Sequence, residues 1–373
     1  MNLITEKSDN LHGRIRLPGD KSISHRTALL AALSAGECRI SNFLTAGVTT
    51  PLLNALTTFG ISWKLFGDIL VVQGRGFTGW ETPARVIDCG NSGTTLRLLA
   101  GALSTVGIRA TLDGSSGLRR RPMNRIIEPL HKMGVNIGGD DGHAPLRLEP
   151  DGAVINGIDY HLPVASAQVK TCLLLAALNA EGQTTLREPG PSRDHTERLL
   201  RGLGVTLVNY SPRPSRSNST PERDQNRERQ YITTLTPQHS AHLPSFNLQI
   251  PADISSAAFI IVAALITPGS DVVIEDIGIN PTRTGLLDAL VKMGGNIEIQ
   301  KQGERMGEPY GTVRVRHSPL SGIDINGELV VRMIDEFPAF SIAAVYAHGT
   351  TVVSGAEELR VKESDRIAAM CKE

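Results

Sequence analysis

The run Leu17-Pro18-Gly19-Asp20-Lys21-Ser22-Ile23-Ser24-His25-Arg26 puts two cations, two hydroxyls, an imidazole and a carboxylate just ahead of an apolar stretch. Pro18-Gly19-Asp20 reads as a turn that ends a strand. Ser22 to Arg26 then open a helix expected over 27–34, whose unpaired first-turn N–H groups and positive dipole end favour a bound anion. A nucleotide-cradling P-loop is disfavoured, because it needs Gly directly before Lys-Ser and Asp20 stands between Gly19 and Lys21. The structural alternative is an ordinary capped helix with a solvated basic first turn.

Four further clusters combine polar groups with helix starts. Asp88-Cys89-Gly90-Asn91-Ser92-Gly93-Thr94-Thr95-Leu96-Arg97 sets two glycines and small hydroxyls before a helix, leaving backbone N–H groups open to a ligand, although a tight strand-to-helix turn accounts for it too. Leu118-Arg119-Arg120-Arg121-Pro122 carries three arginines before a proline that starts the next helix, a repulsion that a bound anion would offset. Ala165-Ser166-Ala167-Gln168-Val169-Lys170 brings donors and acceptors to the start of an apolar run, with N-capping as the simpler role for Ser166. The last pairs Asp335-Glu336-Phe337-Pro338 with Glu358 to Arg366. At helical spacing Lys362 and Arg366 share a face there, a like-charge pair that suits an anion between them, and a salt-bridge network with Glu363 and Asp365 is the competing account. Several cationic or N–H-rich helix starts plus a few carboxylates, with no metal-ligand spacing and no nucleophile–base pair, suit small, highly anionic substrates handled by acid–base chemistry.

The elements that must position these groups follow from pattern. The chain has 373 residues, 40% of them hydrophobic, which predicts two domains with real cores. Lys plus Arg equals Asp plus Glu at 38 each, and aromatics are only 4%, so neither a global field for nucleic acid or membrane nor base-stacking surfaces are expected. The four cysteines lack metal-ligand or C-x-x-C spacing, which fits buried thiols in a reducing compartment, and a cytoplasmic location is expected from the polar first twenty residues. The uncharged stretch 254–270 contains Pro268 and is shorter than a bilayer span, so it reads as a buried helix.

One pattern recurs five times: an Ala/Leu-rich helix closed by Gly, a short strand, a polar loop and a second amphipathic helix closed by Gly. The first-helix glycines are Gly36, Gly107, Gly182, Gly269 and Gly349, and the second-helix partners are Gly60, Gly134, Gly204 and Gly294. The fifth repeat reaches the last residue inside its second helix, which predicts a chain shortened at its C-terminus and six repeats in the intact protein. Residues 211–230 carry three prolines, five arginines and no aliphatic or aromatic side chain, and are expected to form a mobile, solvated insertion.

LPGDKSISHR, GNSGTTLRLL, LRRRPM, ASAQVK, DEFPAFSIAA and ELRVKESDR stand in the order and approximate spacing of one family, and on these motifs the chain resembles the EPSP synthases, the 3-phosphoshikimate 1-carboxyvinyltransferases of the shikimate pathway. The resemblance implies an α/β (α+β) fold of two inside-out α/β barrel domains, each built from three β-α-β-α-β-β units, with the last unit incomplete here. It implies a discontinuous domain of residues 1–20 and 245–373 and a second domain of 21–244. It further implies transfer of the enolpyruvyl group of phosphoenolpyruvate to the 5-hydroxyl of shikimate 3-phosphate, on the way to chorismate and the aromatic amino acids, by a monomer without cofactor or metal. Inhibition by glyphosate competing with phosphoenolpyruvate is implied for the full-length enzyme.

By the same resemblance, Lys21, Ser22, Arg26, Ser166, Gln168, Asp335 and Lys362 hold shikimate 3-phosphate. Phosphoenolpyruvate is met by Lys21, Gly93, Arg121, Gln168 and Arg366. Asp335 resembles the base for the 5-hydroxyl, Glu363 and Lys362 the groups that protonate the enolpyruvyl methylene, and Lys21 serves both binding and catalysis. Two departures stand out. The family continues with a D-H-R helix and a further lysine that this sequence lacks, and Ala167 replaces a Ser found in some members. An inactive remnant that binds phosphorylated ligands is one alternative. The sister enzyme acting on UDP-N-acetylglucosamine is the other, disfavoured because it opens with Lys-Asn and carries a loop Cys, whereas here Lys21 precedes Ser22 and the loop reads RRRPMN.

Overall fold

A computed structural model describes residues 9–211, 230–237, 240–362 and 364–372. Most of the expected insertion at 211–230 therefore lies outside the described residues. The chain divides into two compact units, one of Met1–Asp20 with Pro251–Glu373 and one of Lys21–Ile250.

In the unit 21–250, three copies of one arrangement appear. Each has a strand, a buried helix, a second strand parallel to the first, an amphipathic helix, and an antiparallel pair that completes a four-stranded sheet. The strands Ile87–Asp88, Ala110–Asp113, His143–Leu148 and Ile137–Asp140 are neighbours in that order, and Asp159–His161, Thr184–Glu188, Tyr231–Thr236 and Thr206–Tyr210 repeat it. The third sheet takes its first strand from far along the chain: Asn247–Gln249 lies parallel to Ala35–Ser41, which continues to Ile69–Arg75 and Ser62–Phe66. This pairing carries residues 245–250 with the middle unit, so the boundary expected at 244 lies six residues later, where the chain leaves the sheet.

The sheets form the outside of this unit and the helices Lys21–Leu33, Gly93–Val106 and Ala167–Ala176 its inside. Their sequences are apolar on nearly every face, as a helix surrounded by protein requires. Leu29, Leu98, Leu99, Leu103, Leu173 and Leu174 are wholly excluded from solvent. The helices approach closely at Gly101, where a Cβ would lie 2.2 Å from the Cys172 carbonyl oxygen, so any side chain there would force the two backbones apart.

The other unit repeats the sheet, again with a distant first strand. His12–Arg16 lies parallel to Asp271–Gly278, followed by Glu308–Arg316 and Asn296–Arg305. A further copy begins with the parallel pair Asp324–Ile325 and Val352–Val353 and the helix Phe337–Tyr346, which packs on Ile254–Ile266. Their core includes Ile261, Leu265, Ile274, Leu286, Phe337 and Phe340. All nine repeat glycines named above have φ between 67° and 94°, the left-handed region where a side chain is strained, which is why Gly closes each helix. Among the described residues no helix is long and apolar enough to cross a membrane.

Two local expectations need correction. The first helix spans Lys21–Leu33, so the charged residues form its first turns instead of preceding it. Lys362 and Arg366 are not successive turns of one helix: a 3-10 turn, Glu357–Val361, ends in an extended Lys362, and a separate helix begins at Arg366. Asp365 caps the second of these elements by accepting from the Ala368 N–H, and Lys362 Nζ sits 3.6 Å from Glu358.

Candidate active site

In the unit 21–250 the three buried helices bring their N-terminal turns together through side chains. Arg26 is buried. Its Nε donates to Thr196 Oγ1 at 2.8 Å, one Nη donates to the Ser22 carbonyl at 3.0 Å, and the other donates to Thr171 Oγ1 at 2.8 Å and the Ala167 carbonyl at 3.5 Å. Arg26 thus ties the first helix to the start of the helix Ala167–Ala176. Gln168, on that helix, accepts from Arg97 Nη1 and donates through Nε2 to Thr94 Oγ1 at 2.9 Å, joining it to the start of Gly93–Val106.

Gly93 is the first residue of its helix and is buried, with Ser92 as N-cap accepting from the Thr95 N–H. A Cβ on Gly93 would fall 2.6 Å from Arg121 Nη1 and 3.5 Å from Arg97 Nη1, so the two guanidinium groups flank a bare stretch of backbone. Lys21 is exposed at the first position of its helix, and Ser22 is half-buried beside it. Ser166 caps its helix, accepting from the Val169 N–H at 3.5 Å. Lys21, Ser22, Arg26, Gly93, Arg121, Ser166 and Gln168 thus all stand at helix starts or against one, in the same unit.

Of the three consecutive arginines, only Arg121 joins this group. Arg119 turns to Asp113, its Nε donating to Oδ1 at 2.9 Å, and holds that carboxyl below its usual range. The next helix begins at Asn124, not at Pro122.

His25 shares the first helix. Its Nδ1 lies 2.9 Å from the Lys21 carbonyl oxygen and its Nε2 3.0 Å from that of Val48. Two carbonyl acceptors favour a doubly protonated ring, yet burial, reinforced by the Lys21 and Arg26 charges, wins and pushes its pKa down to about 4.

The other unit carries acidic groups. Asp335 Oδ1 accepts from Arg366 Nη1 at 3.0 Å, and the same nitrogen donates to the Ile334 carbonyl at 3.1 Å. Asp335 stands just before Glu336, the N-cap of the helix Phe337–Tyr346. Glu336 is buried, and one of its oxygens accepts from Ser255 Oγ. Arg283 Nη2 donates to Ser255 Oγ at 2.7 Å and to Asp253 Oδ1 at 3.3 Å, while Nη1 donates to Asp20 Oδ2 at 2.7 Å. Burial alone would push the Arg283 pKa down, but Asp20, Asp253 and Glu336 outweigh it and keep the guanidinium charged. Glu363, expected to act here, lies outside the described residues.

Sequence reasoning named Arg97, Lys170 and Glu336 within clusters but gave them no individual role, and it passed over Thr171, Thr196, Arg283, Glu188 and Glu197. A signal existed for two of them, since Lys170 and Arg97 are charges inside otherwise apolar helices, where a charge survives only with a partner. Among the described residues no group of three His, Cys, Asp or Glu could hold a metal.

Repeated α/β units with helices inside and sheets outside, and cationic helix starts gathered in one unit, define a class: proteins built to bind small polyanions. The sequence pattern of the family described as EPSP synthase (3-phosphoshikimate 1-carboxyvinyltransferase) matches residues 5–373. A 3-phosphoshikimate 1-carboxyvinyltransferase of Geobacter sp. (strain M21) is 43% identical over 369 residues, which are 99% of this chain and 81% of that protein. One from Magnetococcus marinus is 46% identical over 97% of this chain and 77% of its own length. The EPSP synthase of Acinetobacter baumannii superposes with a TM-score of 0.81 at 40% identity, covering 96% of this chain and 77% of that one. The chain belongs to the EPSP synthase family.

Proposed function

We propose that the protein transfers the enolpyruvyl group of phosphoenolpyruvate to the 5-hydroxyl of shikimate 3-phosphate, releasing phosphate. The family membership supports the reaction. The observation that carries its assignment to these residues is the meeting of Arg26, Arg97, Arg121 and Gln168 at three helix N-termini, a concentration of positive potential that two phosphorylated carboxylates would neutralise.

In this reading Lys21, Ser22, Arg26, Ser166 and Gln168, with Asp335 and Lys362, hold shikimate 3-phosphate. Lys21, the Gly93 backbone, Arg121, Gln168 and Arg366 meet phosphoenolpyruvate. Asp335 takes the 5-hydroxyl proton as that oxygen attacks C2 of phosphoenolpyruvate, and Glu363 with Lys362 delivers a proton to C3, giving a tetrahedral adduct. Loss of a C3 proton and of phosphate then restores the carbon–carbon double bond, now as an enol ether. The Arg366 contact orients Asp335 for the first step. The two units are read as the two enolpyruvyl transferase domains. The protein is read as a cytoplasmic monomer, in keeping with four unpaired cysteines and balanced charge.

Phosphate release from the purified chain tests the reading. Release with both substrates and none with either alone is the expected result. Release from phosphoenolpyruvate alone, or none with both, would overturn it.

A further inference from the structure

Lys170 lies in the apolar interior of the unit 21–250, with its ammonium 2.7 Å from Glu188 Oε2 and 2.8 Å from Glu197 Oε1. The three side chains are 4%, 2% and 1% exposed. Such a triad is costly to desolvate, and apolar residues of similar volume would hold a core at least as well, so stability alone does not account for it. Its geometry does more than pair charges. Glu188 uses its second oxygen, Oε1, to accept the Ser166 N–H at 3.1 Å.

That bond joins the end of the strand Thr184–Glu188 to the residue that caps the helix Ala167–Ala176. Ser166, Ala167 and Gln168 form the turn through which Gln168 meets Arg97 and Thr94, and through which the Ala167 carbonyl meets Arg26. The hydroxyls of Thr171 and Thr196, 2.6 Å apart, both accept from Arg26 and stand next in sequence to Lys170 and Glu197. A buried polar brace therefore runs from the triad to the turn and to the first helix.

We infer that Glu188, oriented by Lys170, is a positioning residue for the phosphorylated ring substrate: it fixes the Ser166 backbone and so the attitude of the Ser166–Gln168 turn. The inference rests on the reading that this turn holds shikimate 3-phosphate. Glu188→Gln keeps the shape but turns an amide N–H₂ toward either Lys170 or Ser166, and Lys170→Met removes the group that orients Glu188. Both variants are assayed well below their melting temperatures.

The expected result is a rise of about tenfold or more in the KM for shikimate 3-phosphate, with a clearly smaller rise in the KM for phosphoenolpyruvate, which meets only Gln168 of this turn. The dissociation constant of shikimate 3-phosphate alone, by calorimetry, rises in parallel. A lower melting temperature with both KM values unchanged, or an equal rise in both, would overturn the inference. If the wild-type chain binds shikimate 3-phosphate without turnover, the calorimetric comparison still decides the positioning role while the catalytic reading fails. If wild type does not bind it, both fall. Should neither variant fold, amide exchange of the wild type decides: protection of the Ser166 N–H comparable to the helix interior supports the bond, and free exchange refutes it.

Discussion

Replacing Gly93 with Ala tests the proposed phosphoenolpyruvate site, because the perturbation is one methyl group. The new Cβ would sit 2.6 Å from Arg121 Nη1 and 3.3 Å from its Cζ. Ordinary contact lies near ~3.5 Å, so the guanidinium must retreat by about 1 Å. That is enough to stretch a charge-assisted bond past the range where it counts as one, a loss of about 1.5–3 kcal/mol. The KM for phosphoenolpyruvate should therefore rise roughly 10- to 150-fold. Folding should not suffer, since Gly93 has no left-handed φ and Ala is the better helix former by up to ~1 kcal/mol. Initial rates of phosphate release against phosphoenolpyruvate, at saturating shikimate 3-phosphate, give the number. A KM within about twofold of wild type, or an equal rise for shikimate 3-phosphate, would refute the placement of Arg121 beside the enolpyruvyl donor.

Asp335→Asn removes the proposed base but leaves an oxygen for Arg366, so kcat should fall by about 10²–10⁴ with the melting temperature unchanged, as stopped assays and calorimetry would establish. Arg283→Met strands Asp20, Asp253 and Glu336 in the interior; a loss of ~3–5 kcal/mol in urea titration is expected, and a loss below ~1 kcal/mol would show the cluster to be unimportant. His25 has a folded pKa near 4, below its unfolded value. Its contribution, up to ~3 kcal/mol, is therefore complete above about pH 6.5 and lost as pH falls through 4. Thermal midpoints between those values should decline for wild type and flatten for His25→Gln, and identical slopes would count against a neutral buried ring.

The repeat was legible in sequence because it is written in local terms. Nine glycines close helices at a backbone conformation only glycine adopts easily, and the apolar helices advertise their own burial. The helix starts at Gly93 and Ser166 were legible for the same reason, since N-caps and small residues act within a few positions of themselves, whereas the first helix begins at Lys21, ahead of the expected Thr27. Local spacing misled where the backbone changes form: Lys362 and Arg366 share a helical face on paper, but the helix is interrupted between them.

What no window of sequence contains is the pairing of distant groups. His12–Arg16 finds its sheet beside Asp271–Gly278, Asn247–Gln249 beside Ala35–Ser41, Arg26 its hydroxyls at Thr171 and Thr196, and Arg283 its carboxylate at Asp20. Each residue type was visible, but a buried charge is stable only beside a specific partner, and which partner it meets is decided by how the repeats pack. The sequence by itself therefore determined the repeat, the helix starts at Gly93 and Ser166 and the kind of chemistry. The tertiary structure alone decided which cations converge, which are tied up in ion pairs, and which buried carboxylate holds the Ser166–Gln168 turn, because those outcomes depend on distances between segments that sequence order does not set.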